Sequence, residues 1–485
     1  MKTKFAFKIL VLIILVSLFA ACKKSFLEQI PRLSQSNELS LSTYEGLNNA
    51  TIGAYSLLCS SNWYGAGFII TADLKGGNAK RGPLNSGRYV NEYLWNNSAS
   101  ATSGLWNDAY STIARANNVI NKIDGGFTEA GVTQGQLNAL KGECLFLRAI
   151  SHWDLVRLYS QPYASGTSNM GVPIVLVTEN GYPARKSVGE VYARIAADLG
   201  DAINLLPSAN SRGNDAAWAT KWAAKALLAK VYLYMEEWQL AAENATDIIN
   251  NGGFTLFTAA EYTTWDNDGY WGSGGKGNEI IFQVDGSQGN TDNGFWESIS
   301  YMVSPVGYGD IATSHDLLDL YEAGDVRTDL FVNPAAYPGE YWTLKYPGRL
   351  GANPPIDFNT PLLRLSEMYL IRAEALLNGA AIAGTTALDD YNEIRTNRGL
   401  TSTVVAPTLD DIYKERRREL CFEGNELFDL ARTQRSLTRV DYNGSLRRDV
   451  PFVVGGTAVQ NYLWAMPIPQ AECDANVNMV QNPEY

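Results

Sequence analysis

Histidine is scarce in this chain of 485 residues, which contains only two. His152 stands beside Trp153 in an apolar helical pattern and is predicted to be a core residue. His315 opens a short helix, where a capping role is favoured over catalysis. The HExxH, GxSxG and P-loop motifs are missing as well. The sequence therefore predicts no catalytic residue, no metal site and no cofactor.

Two short motifs match functional loops only in part. Residues 272–277 fit the GxGxxG pattern, but they precede a strand-like run instead of opening a helix, so a dinucleotide site is not expected. Residues 266–269 resemble a fragment of a calcium loop without the distal glutamate at its required spacing. An acidic turn is the preferred interpretation.

Positive charge is in deficit, because 39 lysines and arginines oppose 51 acidic residues and give a formal net charge of −12. An acidic surface repels phosphate backbones, so nucleic-acid binding is not expected. A neutral ligand suits this composition better than a polyanion.

Cysteine and long apolar runs are also rare. Apart from the residue at position 22, four cysteines remain without CxxC spacing, and buried thiols are favoured over disulfides for Cys59, Cys144, Cys421 and Cys473. No apolar run beyond residue 21 approaches the roughly 20 residues that span a bilayer.

The amino terminus has the layout of a bacterial lipoprotein signal. A start with three lysines precedes an apolar run over 9–21 and then Cys22, whose thiol would carry the lipid after cleavage. Phe19 stands where such a signal usually has leucine, so a plain secretory signal with a chance cysteine is the alternative. The sequence predicts a signal peptide over 1–21 and a lipidated tether over 22–36. Two or more acyl chains would anchor the protein stably to a membrane.

Helical periodicity dominates the rest of the chain, with one short strand at 279–284. The predicted helices follow a capping box at Ser42 and Glu45, cover 105–123 and 137–159, run from Ser187 to near Pro207, and continue over 222–235, 238–249, 361–377 and 387–398. Small residues interleaved with tyrosine and tryptophan at 222–249 and 361–398 resemble tetratricopeptide packing. We predict a mostly α fold: a tetratricopeptide-like superhelix of helical pairs with long irregular loops and a few short strands.

Residues 415–423 form a charge cluster in which acidic and basic side chains interleave on one helix. An internal salt-bridge network is the favoured interpretation, ahead of a ligand site.

Aromatic and amide side chains concentrate in two long loops, at 63–97 and 265–301. Flat rings cover the apolar C–H face of a sugar, and asparagine or arginine hydrogen-bonds its hydroxyls. The predicted stacking residues are Trp95, Trp271, Trp296 and, as a helper, Tyr301, and the predicted hydrogen-bonding residues are Asn78, Arg81 and Asn96. Anchoring of these rings in the core is the alternative for each of them.

Six ordered motifs along the whole chain resemble the SusD/RagB family of outer-membrane nutrient-binding lipoproteins. They run from Ser25 to Pro31, Leu105 to Asn117, Gly142 to Tyr159, Arg364 to Ala375, Glu415 to Arg432 and Pro467 to Tyr485. The resemblance implies one ligand-binding domain over 37–485, with an N-terminal part of about 37–250 and a C-terminal part of about 251–485. These motifs belong to the helical scaffold and do not name the ligand.

The resemblance further implies a lipoprotein on the outer face of the outer membrane that caps a SusC-like TonB-dependent transporter. The resulting hypothesis is a non-catalytic subunit that captures an oligosaccharide for uptake. A peptide-capturing RagB-like subunit, a secreted glycoside hydrolase with an unrecognised pair of carboxylates, and a purely structural lid are the alternatives.

Overall fold

A computed structural model describes residues 37–209, 212–213, 216–262, 279–286, 295–347, 358–454 and 461–485. The chain divides into two compact units, residues 1–47 and 48–485. In the first unit, the described residues form a short helix, Asn37–Ser40, and the start of the next helix. The second unit contains the remaining elements.

Helices are the main secondary structure of the described chain. Those of seven or more residues are α1 (Tyr44–Ser56), α2 (Gly67–Gly76), α3 (Ser103–Asp124), α4 (Gln134–Tyr159), α5 (Val188–Leu205), α6 (Lys221–Tyr234), α7 (Trp238–Asn251), α8 (Leu365–Leu377), α9 (Ala387–Asn397), α10 (Leu409–Leu420) and α11 (Glu426–Arg432). Shorter α-helices are Asn37–Ser40, Val90–Tyr93, Ala259–Tyr262, Ile299–Met302, His315–Leu318 and Gln470–Ala475.

The long helices pack in chain order. Each helix from α3 to α7 packs against the next one, and α7 then packs against α8, although residues 252–364 separate them in sequence. Helix α8 also contacts α9 and α10. Helices that each pack against the next one along the chain are typical of tetratricopeptide-like pairs. The predicted mostly α class is confirmed, and α4 is buried between α3 and α5.

Local capping explains where several helices begin. At the start of α5, the Ser187 hydroxyl accepts a hydrogen bond from the Glu190 backbone N–H at 3.2 Å, and the Glu190 carboxylate accepts from the Ser187 N–H at 2.9 Å. The capping box predicted at Ser42 and Glu45 is wrong by one residue. Thr43 Oγ1 accepts from the Gly46 N–H at 3.1 Å, so α1 begins at Tyr44.

The strands form short antiparallel pairs. They are β1 (Ala79–Arg81) with β3 (Ile311–Thr313), β2 (Ile280–Val284) with β6 (Thr360–Arg364), β4 (Phe331–Val332) with β5 (Trp342–Thr343), and β7 (Leu437–Thr438) with β8 (Asp449–Val450). Strand β2 confirms the prediction for 279–284. Helix α8 begins at Leu365 and not at Pro361, because residues 360–364 pair with β2 and the residue before a proline disfavours helix.

One long helix was missed by sequence reasoning. Helix α2 lies inside the segment 63–97, which was predicted to be a long loop, and every residue from Phe68 to Gly76 is buried. A helix buried on all sides has no polar face, so its sequence lacks the 3.6-residue alternation that identifies a surface helix.

The rare residues behave mainly as predicted. His152 is fully buried, burial lowers its pKa to about 4, and its Nδ1 lies 3.0 Å from the Arg148 carbonyl oxygen. His315 is the first residue of a short helix that Ser314 caps. The described cysteines are free thiols, buried at Cys59, Cys144 and Cys421 and half-buried at Cys473.

The charge cluster at 415–423 is a buried ion network, as predicted. Glu415 and Arg418 pair along α10, and Arg327, Arg364 and Arg398 reach Glu419 from other parts of the chain. Burial by itself raises the pKa of Glu419, but Arg398 and Arg364 outweigh that effect and hold the pKa well below its usual value. The network therefore ties α10 to β6 and to the segment before α10.

None of the helices within the described ranges is both long and apolar enough to cross a membrane.

Candidate functional site

An aromatic ridge lies at the surface of the segment that follows β2. We define it as Trp296, Tyr301 and Tyr308 together with Arg88. Trp296 is 51% exposed, and its ring meets Tyr301 edge to face with centroids 5.2 Å apart. Tyr301 and Tyr308 are half-buried and perpendicular at 4.6 Å. Three adjoining rings, one of them half-exposed, form a surface that suits the apolar face of a ligand.

A backbone hydrogen bond closes the loop between the two tyrosines of the ridge. The Tyr308 N–H donates to the Tyr301 carbonyl at 2.9 Å, with Gly307 between them. A Cβ atom on Gly307 would approach the Tyr301 carbonyl oxygen to 2.4 Å, so only glycine fits there. The Ile299 N–H donates to the Gly65 carbonyl at 2.7 Å and fixes the base of the ridge to the segment before α2.

Arg88 adds charge and hydrogen-bonding capacity to the ridge. Its guanidinium lies 4.0 Å from the centre of the Tyr308 ring and donates to Glu297 Oε1 at 3.2 Å. The Arg88 and Glu297 side chains are 31% and 44% exposed. The ridge therefore combines an apolar surface with a donor and an acceptor that a hydroxylated ligand can reach.

Asp310 holds the loop that carries Arg88. Its buried carboxylate accepts hydrogen bonds from the backbone N–H and the hydroxyl of Ser86, and lies 3.4 Å from Arg88 Nη1. Pairing of β1 with β3 places Arg81 opposite Ile311, directly after Asp310. Arg81 is half-buried and donates to Asn85 Oδ1 at 3.3 Å. Arg81, one of the predicted site residues, therefore contacts the loop that carries Arg88.

Trp95 does not face solvent, contrary to the prediction of a stacking residue. It has 0% exposure, its ring meets Trp464 edge to face at 5.0 Å, and Lys75 Nζ lies 4.1 Å from the ring centre. Trp464 comes from a distant part of the sequence, so no local pattern marks this ring as buried. Trp95 is a core residue in this structure.

Asn78 is likewise unavailable to a ligand. It is 1% exposed, donates to Asp73 Oδ1 at 2.9 Å and accepts from Arg417 Nε at 2.7 Å.

Asn96 is exposed, and its amide donates to Asn91 Oδ1 at 3.3 Å. Trp271 and Cys22 lie outside the described residues.

Sequence reasoning missed Arg88, Glu297 and Tyr308. Two of them lie close in sequence to predicted site residues, which could have drawn attention to them: Glu297 follows Trp296 directly, and Tyr308 follows Tyr301 by seven positions. Their spatial convergence depends on the pairing of β1 with β3, two strands more than 220 residues apart. A single short strand of three residues carries too little pattern to predict that pairing.

A separate cavity of about 360 Å³ lies between α1 and β2. Tyr55 and Trp218 form part of its wall and meet edge to face at 5.0 Å, and Gln283 and Asp285 provide polar groups. This cavity is a second aromatic surface that could bind a ligand, so tests of the ridge need to be compared with it.

Across the described ranges, no group of three or more histidine, cysteine or acidic side chains is arranged to hold a metal ion.

Both the sequence and the fold are similar to those of known proteins. A family model described as "Starch-binding associating with outer membrane" matches residues 25–233, and one described as "SusD family" matches residues 356–485. A solved SusD superfamily protein from Bacteroides vulgatus is 30% identical, with a TM-score of 0.80 over 91% of this chain and 99% of its own. A SusD-like protein from Bacteroides ovatus is 26% identical over 87% of this chain and 82% of its own length.

A more distant solved structure has the same fold. It is the surface glycan-binding protein A from Bacteroides thetaiotaomicron in complex with laminarihexaose. The two chains are 19% identical, with a TM-score of 0.72 over 90% of this chain and 99% of that one. The family models and the Bacteroides vulgatus structure carry the assignment, because they agree over both the N-terminal and the C-terminal helical parts. This chain belongs to the SusD/RagB family.

Proposed function

We propose that this protein is a non-catalytic glycan-binding subunit that captures a neutral oligosaccharide at the cell surface. The observation that carries the proposal is the aromatic ridge, where half-exposed Trp296 stands beside Tyr301 and the Arg88–Glu297 pair. The description of the matching family model as starch-binding, and the glycan-binding names of several proteins with this fold, support the same ligand class.

The chemistry of the ridge fits a sugar ring. The indole of Trp296 would cover the C–H face of a pyranose, while Arg88 donates to and Glu297 accepts from its hydroxyls. Arg81, Asn96 and Trp271 are proposed as further contacts from the sequence. The net charge of −12 adds no attraction for an anionic polymer, which favours a neutral one.

The site of action is proposed from the leader and the family. Cys22 would carry the lipid that anchors the protein to the outer membrane, and a SusC-like TonB-dependent transporter would receive the glycan. A Cys22→Ser variant should lose labelling by a fatty-acid analogue and should no longer be degraded by protease added to whole cells. Purification from solubilised outer membranes should recover the transporter with the protein, and its absence would remove this partner.

Calorimetric titration with a panel of neutral oligosaccharides tests the ligand proposal. Trp296→Ala should weaken binding of any glycan that binds the wild type by roughly 10-fold, about 1.4 kcal/mol. Trp238→Ala is the matched control, because Trp238 is half-buried at the start of α7. Loss of binding by Trp218→Ala, with full binding by Trp296→Ala, would move the site to the cavity beside α1.

The same preparation separates the alternatives. New reducing ends after incubation with polysaccharides would identify a hydrolase and overturn the binding-only proposal. Binding of peptides from a random library, with no binding to any glycan, would identify a peptide-capturing subunit. Normal uptake by cells whose protein lacks the ridge, with uptake abolished by deletion of the whole protein, would identify a structural lid.

A further inference from the structure

A group of buried cations lies beneath the loop that carries Arg88, outside the aromatic ridge. Lys75, at the end of α2, is 1% exposed, and Arg439, directly after β7, is also 1% exposed. Arg447, which is half-buried, donates to the Trp95 carbonyl oxygen. The Lys75 ammonium lies 4.1 Å from the centre of the Trp95 ring, and Arg439 and Arg447 both lie close enough to Lys75 to act on its charge.

Two donors in this group have no acceptor. Lys75 Nζ and Trp95 Nε1 are both buried, and neither has a hydrogen-bond partner in the described part of the chain. A buried donor without a partner costs about 1–3 kcal/mol, and more when it is charged. Buried donors of this kind in native proteins call for an ordered water or ion.

The charges of the group are unbalanced as well. Within the described residues, none of Lys75, Arg439 and Arg447 forms an ion pair with a carboxylate, and Arg439 donates only to backbone carbonyl oxygens. The pKa of Lys75 is lowered to about 7, mainly by burial; Glu92 opposes the shift, and Arg439 and Arg447 contribute to it. Lys80, a buried lysine on nearby β1, has two carboxylate partners at 2.9 and 3.0 Å, which is the usual arrangement.

The backbone at the group is strained. Trp95 has a φ of 52° and Arg447 a φ of 55°, in the left-handed region that bulky residues avoid. Such conformations cost roughly 1–3 kcal/mol each and persist where the surroundings hold them in place. The direct hydrogen bond between these two residues places both strained positions at the cation group.

We propose that Lys75 Nζ and Trp95 Nε1 together bind a small monovalent anion of the size of chloride. The anion accepts hydrogen bonds from both donors and supplies the negative charge that Lys75, Arg439 and Arg447 lack. A water molecule could accept the same hydrogen bonds but would leave the charge uncompensated. Complete burial of both donors excludes a polymer substituent, so this site is distinct from glycan binding at the ridge.

The anion would have a structural consequence for the neighbouring loop. Trp95 ends the segment that includes Arg88 and the short helix Val90–Tyr93, and Arg439 donates to the Tyr93 carbonyl at 2.7 Å. An anion that keeps Lys75 charged and in place therefore fixes the base of the loop from which Arg88 reaches the ridge.

Crystals of the wild-type protein soaked in sodium bromide test the proposal directly. An anomalous bromide peak within hydrogen-bond distance of both Lys75 Nζ and Trp95 Nε1 is the expected result. A water molecule or no density at that position, with bromide bound only at exposed sites, would overturn the proposal.

Thermal unfolding provides an independent solution measurement. At equal ionic strength, bromide or chloride should raise the Tm of the wild type by about 1–2 °C relative to gluconate, which is too large to enter. Lys75→Met and Trp95→Phe should abolish this difference, whereas Lys80→Met should retain it. An equal halide effect in Lys75→Met and the wild type would contradict the assignment, whatever the absolute Tm of either protein.

Discussion

Arg364 and Glu419 are joined by two buried hydrogen bonds. Arg364 Nη1 donates to Glu419 Oε1 at 2.8 Å, and Nη2 donates to the Glu419 carbonyl oxygen at 2.9 Å. Both residues are about 1% exposed or less. This contact ties the end of β6, directly before α8, to the last turn of α10. The helical scaffold is thus held together by charge as well as by apolar packing.

Glu419→Gln should strongly destabilise the fold. The substitution leaves three buried arginines with one carboxylate fewer, and breaking a buried pair in this way costs about 3–5 kcal/mol. Urea unfolding at pH 7 measures the loss, with the exposed Glu393→Gln as the control that should stay within about 0.5 kcal/mol of wild type. Because the Glu419 pKa is depressed in the folded state, its contribution is present above the unfolded pKa. The difference between variant and wild type should therefore shrink as the pH falls through the folded pKa.

Glu426 should give a pH dependence of the opposite sign. It is 8% exposed, and the Arg417 Nε atom is 3.6 Å away. Burial raises its pKa from 4.5 to about 7. The folded state thus binds its proton more tightly than the unfolded state, so stability falls as the pH rises from about 4.5 to about 7. Glu426→Gln removes the titrating group, so the variant should lose less unfolding free energy over this pH range than the wild type, by up to about 3 kcal/mol.

Urea unfolding at pH 5 and pH 8 checks the Glu426 prediction. The wild type should lose more stability between the two values than the variant does. Asp73, whose pKa burial raises to about 6, titrates in both proteins, and its charge is one of the causes that raise the Glu426 pKa. Parallel pH profiles for the two proteins would contradict the prediction.

Trp95→Ala and Trp296→Ala should have contrasting effects. Removing the fully buried Trp95 ring leaves a cavity against Trp464 and should cost about 3–5 kcal/mol of unfolding free energy. Trp296 is half-exposed, so its removal should cost less than about 1 kcal/mol while it weakens glycan binding. Chemical unfolding monitored by circular dichroism measures both values. Equal destabilisation by the two variants would place Trp296 in the core.

Arg88→Ala should weaken glycan binding by about 5-fold to 10-fold without a large change in stability. The variant removes a donor and leaves the Tyr308 face and the Glu297 carboxylate without their cationic neighbour. Arg115→Ala, an exposed arginine on α3, is the matched control. Titration calorimetry with the glycan that the wild type binds gives the affinities. An unchanged Kd for Arg88→Ala would remove this residue from the proposed site.

The ends of helices with a clear polar face were predictable to within a few residues. Helix α5 is an example, because Ser187 and Glu190 mark its start and apolar residues recur on its buried face. Helix α2 was not predictable, because its burial on all sides removes the periodic signal. Residues 361–364 of β6 fall in a predicted helix but form a strand, because they pair with β2, a segment 80 residues earlier.

The candidate site was predictable only in part. Trp296 and Tyr301 do lie together, and their clustering with other aromatic residues in sequence pointed to them. The same clustering pointed to Trp95, which is buried against Lys75 and against Trp464 from a distant part of the chain. Exposure of an aromatic ring depends on what packs over it, and that neighbour is seldom local in sequence.

The sequence by itself determined the helical class, the family motifs, the buried thiols and the existence of an ion network at 415–423. These features depend on local periodicity, capping and composition, which act between residues a few positions apart. Only the tertiary structure decided which aromatic rings are exposed, that Arg88 joins Tyr308, and which arginines neutralise Glu419. Those outcomes depend on contacts between segments far apart in the chain, whose packing and desolvation no local pattern specifies.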